Sequence, residues 1–88
     1  MAKLSFVGNA QFSGWQDMYA VREGIWVYQA PDNTQRAMVD ITTNTVLLIE
    51  DLASKEILYK DSEELSKAAK RTVIKKRQIP PLDVRRLI

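Results

Sequence analysis

The side chains best suited to act on another molecule are concentrated near the end of this 88-residue chain. Residues 66–77, SKAAKRTVIKKR, hold six Lys or Arg in twelve positions, and no acidic residue lies between Glu64 and Asp83. On a helix, Lys67, Lys70, Arg71 and Lys75 recur at i, i+3, i+4 and i+8 and form a ridge, with Lys76 and Arg77 next to it. Such a ridge can follow a nucleic-acid backbone, each phosphate contact releasing condensed counterions. Four to six contacts would make log K fall with log salt at a slope of about −4 to −5. Base readout asks for more: Arg71, Arg77 and Gln78 carry suitable donors, but nothing in the sequence positions them. The plainer reading is a solvated helix face, since Lys and Arg are good helix formers.

A second constellation closes the chain. Pro80-Pro81 enforces an extended step, and LDVRRLI follows it. Val84, Leu87 and Ile88 fall at i, i+3 and i+4 of a short helix, with Arg85 and Arg86 turned outward. Leu82, Val84, Leu87 and Ile88 would supply an apolar anchor, and the two arginines a charged rim. Its occupant is the domain itself, a protein partner with an acidic patch, or the acidic half of a second copy.

The residue inventory points away from an enzyme. With no His and no Cys, the usual acid–base group at neutral pH is missing, as are zinc sites, disulfides and the common nucleophile–base pairs. Three widely separated glycines make no phosphate-cradling loop. Glu50-Asp51 is an adjacent carboxylate pair, but neighbours on a strand point to opposite faces. Neither a cofactor nor a metal is expected.

The elements that must position these residues are mainly strands. LSFV, Gly8-Asn9 and AQF fit a hairpin with a two-residue turn. IWVYQA (25–30), QRAMVDIT (35–42) and TVLLIE (45–50) are separated by PDNT and by Thr43-Asn44, the pattern of an antiparallel meander whose last strand is the most buried. KEILY (55–59) adds one more strand. Residues 13–24 read either as a helix, with Ser13 and Gln16 as a capping box, or as a strand turning at Glu23-Gly24; strand is favoured slightly. Trp26 and Tyr28 share one face of their strand, Ile25 and Val27 the other, and one of these faces is expected to be the core. Exposed rings there could stack bases of a single strand, but the acidic bias of this half opposes a polyanion. Asp61, with Glu64 three residues on, caps a helix that has no Gly or Pro until it must stop before Pro80. Leu65, Ala69, Thr72/Val73 and Lys76 mark one face at helical spacing; it is weakly apolar, so docking on the sheet should be shallow.

The fold class that follows is α+β: a small antiparallel sheet of four to five strands, one principal C-terminal helix and a short hydrophobic tail. Residues 1–79 form a single domain, with 80–88 as a docking segment. Residues 1–59 carry four basic and seven acidic side chains, residues 60–88 nine and four, so the charge is divided along the chain. The longest apolar run, residues 46–49, is far too short to span a bilayer, and the N-terminus lacks a signal-peptide pattern. The expectation is a cytoplasmic, non-enzymatic binding or regulatory protein whose basic C-terminal third contacts nucleic-acid phosphates. The competing expectation is a protein-interaction module or inhibitor that docks through the basic helix and the tail.

Overall fold

The computed structural model describes residues 3–74. Five strands lie in chain order in one antiparallel sheet: β1 (Gln16–Arg22), β2 (Ile25–Gln29), β3 (Gln35–Asp40), β4 (Thr45–Asp51) and β5 (Ile57–Lys60). One helix, α1 (Ser62–Ala68), follows. This is the α+β meander expected from the spacing of turn signals, and residues 13–24 hold a strand rather than a helix. β4 is the most buried strand: Val46 and Leu47 have no exposed surface.

Three of the turns share a device. Asp32, Asp40 and Asp51 stand at or near the start of their turns, and each carboxylate accepts the backbone N–H two residues on, from Thr34, Thr42 and Ala53. This local bond holds the chain in the turn. Asn33, Asn44 and Lys55 then take up positive φ and reverse its direction.

Both faces of the sheet are covered, so the expectation of a single core face is corrected. On one face, Ala37, Val39, Val46 and Ile49 pack with Phe6 and Phe12 from the N-terminal segment, and Trp15 and Tyr28 close the rim. The Phe6 and Phe12 rings stack at 4.9 Å, and Trp15 meets Phe12 edge-on at 5.1 Å. On the other face, α1 lays Ala68 and Leu65 over Ile25 and Leu47, with Val21 and Met38 beside them.

Two expected elements take another form. Residues 4–12 are not a hairpin. Ser5 makes a lone bridge to Thr45, and Ala10–Phe12 wind into a 3-10 turn capped by the Asn9 side chain. The gain is burial: this path drops both phenylalanines onto the sheet, worth roughly 1.5–3 kcal/mol each. Asn44 fastens it, its side-chain oxygen accepting the N–H groups of Phe6 and Val7 and its amide donating to the Val7 carbonyl.

The principal helix is likewise shorter than its composition suggests. Asp61 caps it as expected, accepting the Glu64 N–H at 3.1 Å. It ends at Ala68, however, and the chain tightens through bonds from Lys70 N–H to the Lys67 carbonyl and from Arg71 N–H to that of Ala68. Val73 then pairs with Arg22 as a one-residue bridge on the outer side of β1. Glu23 N–H donates to the Thr72 carbonyl, and Ile74 N–H to that of Val21. Three β-branched residues in a row favour this extended path over another helical turn. No helix among the described residues is long and apolar enough to cross a membrane.

Candidate basic interface

The cations expected on one helical ridge occupy three different situations. Lys67 remains on α1, where its ammonium faces its own helix's acids, 3.4 Å from Glu64 and 3.8 Å from Glu63. Lys3 meets Glu64 from the other side at 2.8 Å. The hydrogen bond from Lys3 is the main reason that the Glu64 carboxyl is held below its ordinary range; it outweighs the opposing effect of desolvation. The acids at the start of α1 thus absorb two cations and complement the helix dipole.

Arg71 is a structural clamp. Its Nη2 donates to Asp40 Oδ2 at 2.8 Å and to Thr42 Oγ1 at 3.2 Å, and its Nη1 donates to the Glu23 carbonyl at 3.0 Å. Arg22 Nη1 donates in turn to the Arg71 carbonyl at 2.9 Å. The guanidinium lies over Gly24, whose φ is +74°; a Cβ there would come within 2.7 Å of Nη1 and 2.9 Å of Thr42 Cγ2. Asp40 is buried at the end of β3. Burial acts to raise its pKa, but the Thr42 hydroxyl and N–H, together with the Arg71 charge, overcome this and hold it below the ordinary carboxylate range. The clamp fixes the point where α1 ends and residues 72–74 turn onto β1.

Lys70 alone of the ridge cations within the described residues is exposed and in no ion pair there. The helical ridge of Lys67, Lys70 and Arg71 therefore does not form, because α1 stops before the second and third of them and Arg71 turns inward. Lys75, Lys76 and Arg77 lie outside the described residues, as do Leu82, Val84, Arg85, Arg86, Leu87 and Ile88. Where the described domain ends, the charge changes sign. Residues 3–74 carry eight basic and ten acidic side chains, a net −2, whereas residues 75–88 carry five and one, a net +4.

The aromatic platform is closed to bases on its better side, since the N-terminal segment covers the face that carries Tyr28 and Tyr59. Two shallow surface depressions, one lined by Phe6 to Ser13 and the other by Trp15, Pro31 and Asp32, are wide open to solvent and hold no converging charged groups. Among the described residues no group of three or more acidic side chains is placed to hold a metal ion. The role of Arg71 was not visible in sequence because its partners lie 29 to 48 positions away. The available signal was Asp40-Ile-Thr at a strand end: a turn carboxylate that a distant cation can complete. No protein-family model, curated protein or solved structure matches this chain.

Proposed function

We propose that the chain is a small non-enzymatic binding protein whose basic C-terminal segment, beginning at Lys70, contacts nucleic-acid phosphates. The observation that supports this reading is the partition of charge. Lys3 and Lys67 pair with the α1 acids and Arg71 with Asp40, and residues 3–74 as a whole carry a net negative charge. The net positive charge of the protein comes from residues 75–88, with Lys75, Lys76 and Arg77 followed by Arg85 and Arg86, and the exposed Lys70 stands just before them. A net-negative body does not attract a polyanion, so the contact is confined to this segment and is electrostatic in character.

Fluorescence anisotropy of labelled single- and double-stranded oligonucleotides at 50 and 200 mM salt tests it. Four contacts give a log–log salt slope of about −4 on duplex and about −3 on single strands. Lys75→Ala with Lys76→Ala should reduce the slope by about 2 on any sequence. Absence of binding at 50 mM salt, where the electrostatic term is strongest, rejects the reading. An acidic protein surface is the second occupant for the same segment. It is favoured if Leu87→Ala with Ile88→Ala abolishes capture of a protein partner while the lysine changes do little.

A further inference from the structure

The two edges of the sheet differ. The outer side of β1 is partly occupied by residues 72–74, which bond to Val21 and Glu23. The outer side of β5 has no strand beside it among the described residues. β5 also carries an irregularity. Glu50 pairs with Ile57 and Ile49 with Tyr59, so Leu58 is an extra residue without a partner on β4. A bulge of this kind re-aims side chains at an edge. Ile57 and Leu58 are accordingly 50% and 48% exposed, two adjacent aliphatic side chains half in water on a short strand.

The residues around them have a mirrored charge pattern. In KEILYKD, residues 55–61, Leu58 is the centre. Ile57 and Tyr59 flank it, Glu56 stands two residues before it and Lys60 two residues after. Lys55 and Asp61 continue the symmetry in sequence, but Asp61 is engaged as the α1 cap beside Lys3, so Glu56 and Lys60 are the charges available at this edge. Two such segments placed antiparallel about a two-fold axis at Leu58 set each Glu56 opposite the Lys60 of the other copy, twice over. Leu58 then meets Leu58, and Ile57 meets Tyr59. Both Glu56 and Lys60 are exposed, and neither is in an ion pair among the described residues.

From this we infer that the β5 edge is a homodimer contact: a second copy of this chain docks there antiparallel, with Leu58 on the two-fold axis. An isologous contact uses the same patch on both subunits and closes on itself. The pattern is satisfied in the antiparallel arrangement alone, because a parallel one would set Glu56 against Glu56 and Lys60 against Lys60. The bulge shortens the backbone ladder available at this edge to a few residues, so side chains supply most of the specificity, and a closed two-fold contact recruits no further copies. A central apolar pair with a charged rim is the usual anatomy of a protein interface.

Sedimentation equilibrium over a range of concentrations, on the full chain, tests the inference. The parent should show a monomer–dimer equilibrium. Glu56→Lys alone and Lys60→Glu alone each place like charges opposite one another twice and should weaken association by about tenfold or more. An equimolar mixture of the two variants should restore dimers, because each introduced charge then faces its opposite on the other copy, and the doubly swapped variant should do the same. Leu58→Asp should be monomeric. All these positions are exposed, so thermal midpoints by circular dichroism should stay near that of the parent, and each variant is scored only with that check. A parent that is monomeric at every concentration overturns the inference. So does a dimer indifferent to Glu56→Lys, or loss of dimer by both single changes with no rescue by mixing.

Discussion

Replacing Arg71 by Ala separates a clamp from a phosphate ligand. The guanidinium makes three hydrogen bonds, one of them to a carboxylate whose side chain is only 6% exposed. A hydrogen bond to a charged group contributes about 1.5–3 kcal/mol net. Breaking a fully buried pair costs about 3–5 kcal/mol because the remaining charge is stranded. Here the Arg71 side chain is 32% exposed and Thr42 keeps both of its bonds to Asp40, so the loss falls below that span, at about 2–3 kcal/mol, the upper part of the range for a charged hydrogen bond. A domain of this size has a total stability on the order of 4–10 kcal/mol, so the loss is a large share of it. It corresponds to a fall in Tm of about 10–20 °C. Urea unfolding followed by tryptophan fluorescence measures it, and the cycle with Asp40→Asn isolates the pair, whose coupling should be at least about 1 kcal/mol. At a temperature where the variant is folded, its oligonucleotide salt slope should equal that of the parent, since Arg71 does not face outward. A loss below about 0.5 kcal/mol, the size of an ordinary surface change, would refute the clamp. A slope reduced by about one would return Arg71 to the phosphate-binding set.

Three further outcomes follow from the same geometry. Asn44→Ala removes three bonds to residues 6 and 7 and places a β-carbon residue without a local polar partner at φ 56°; it should cost about 2 kcal/mol in urea unfolding, and Asn44→Gly should cost less. Lys55 sits at φ 67°, so Lys55→Gly should raise stability by about 0.5–1 kcal/mol, read as a higher urea midpoint. Asp40 and Glu64 both have folded pKa values below their ordinary ones, so their contribution is complete above the unfolded carboxylate range and disappears as pH falls through the folded values. Unfolding midpoints recorded from pH 7 down to pH 2 should therefore decline below about pH 4, and Asp40→Asn should flatten that decline.

The strands were legible because their punctuation is local. An Asp bonding its own turn, or an Asn able to adopt positive φ, works within three or four residues, and β2, β3 and β4 are bounded by such turns. The two misread elements were decided at long range. Gly8-Asn9 has the composition of a tight turn, but burial of Phe6 and Phe12 against strands more than 20 residues away sets the path of residues 4–12. Residues 66–77 have the composition of a helix, yet Arg71 finds Asp40 and Val73 finds Arg22, and these partners end α1 at Ala68. The candidate basic site was legible as a charge excess but not as a surface. Lys67 meets acids within its own helical turn, but Lys3 and Arg71 are spent on Glu64 and Asp40, 61 and 31 positions away. The mirrored pattern around Leu58 was present in the sequence too, but it acquires meaning only once β5 is placed at an edge with its centre exposed.

The β5 edge and residues 72–74, after which the basic segment continues, lie at opposite sides of the sheet, and their separation has a measurable consequence. Residues 72–74 leave along β1, four strands away from β5. A two-fold dimer through β5 joins ten strands into one layer and adds residues 72–74 at each outer side. At about 4.8 Å between strands, the two points where the basic segments depart are about 50 Å apart, or somewhat less with sheet twist. That distance equals about 15 base pairs of duplex. Well below this length, by a margin set by the reach of residues 75–88, a duplex engages one segment and the dimer binds with the affinity of a monomer. Above it the second contact is intramolecular, with an effective concentration set by the segments' reach, and affinity should rise by at least about tenfold. Titrating duplexes of 10, 15, 20 and 30 base pairs against the parent and Leu58→Asp tests both assignments together. A length threshold in the parent that is absent from the monomeric variant supports the pairing of the two surfaces. A threshold that survives Leu58→Asp means that the two segments are joined by some other contact, and the β5 edge is then not what sets their spacing.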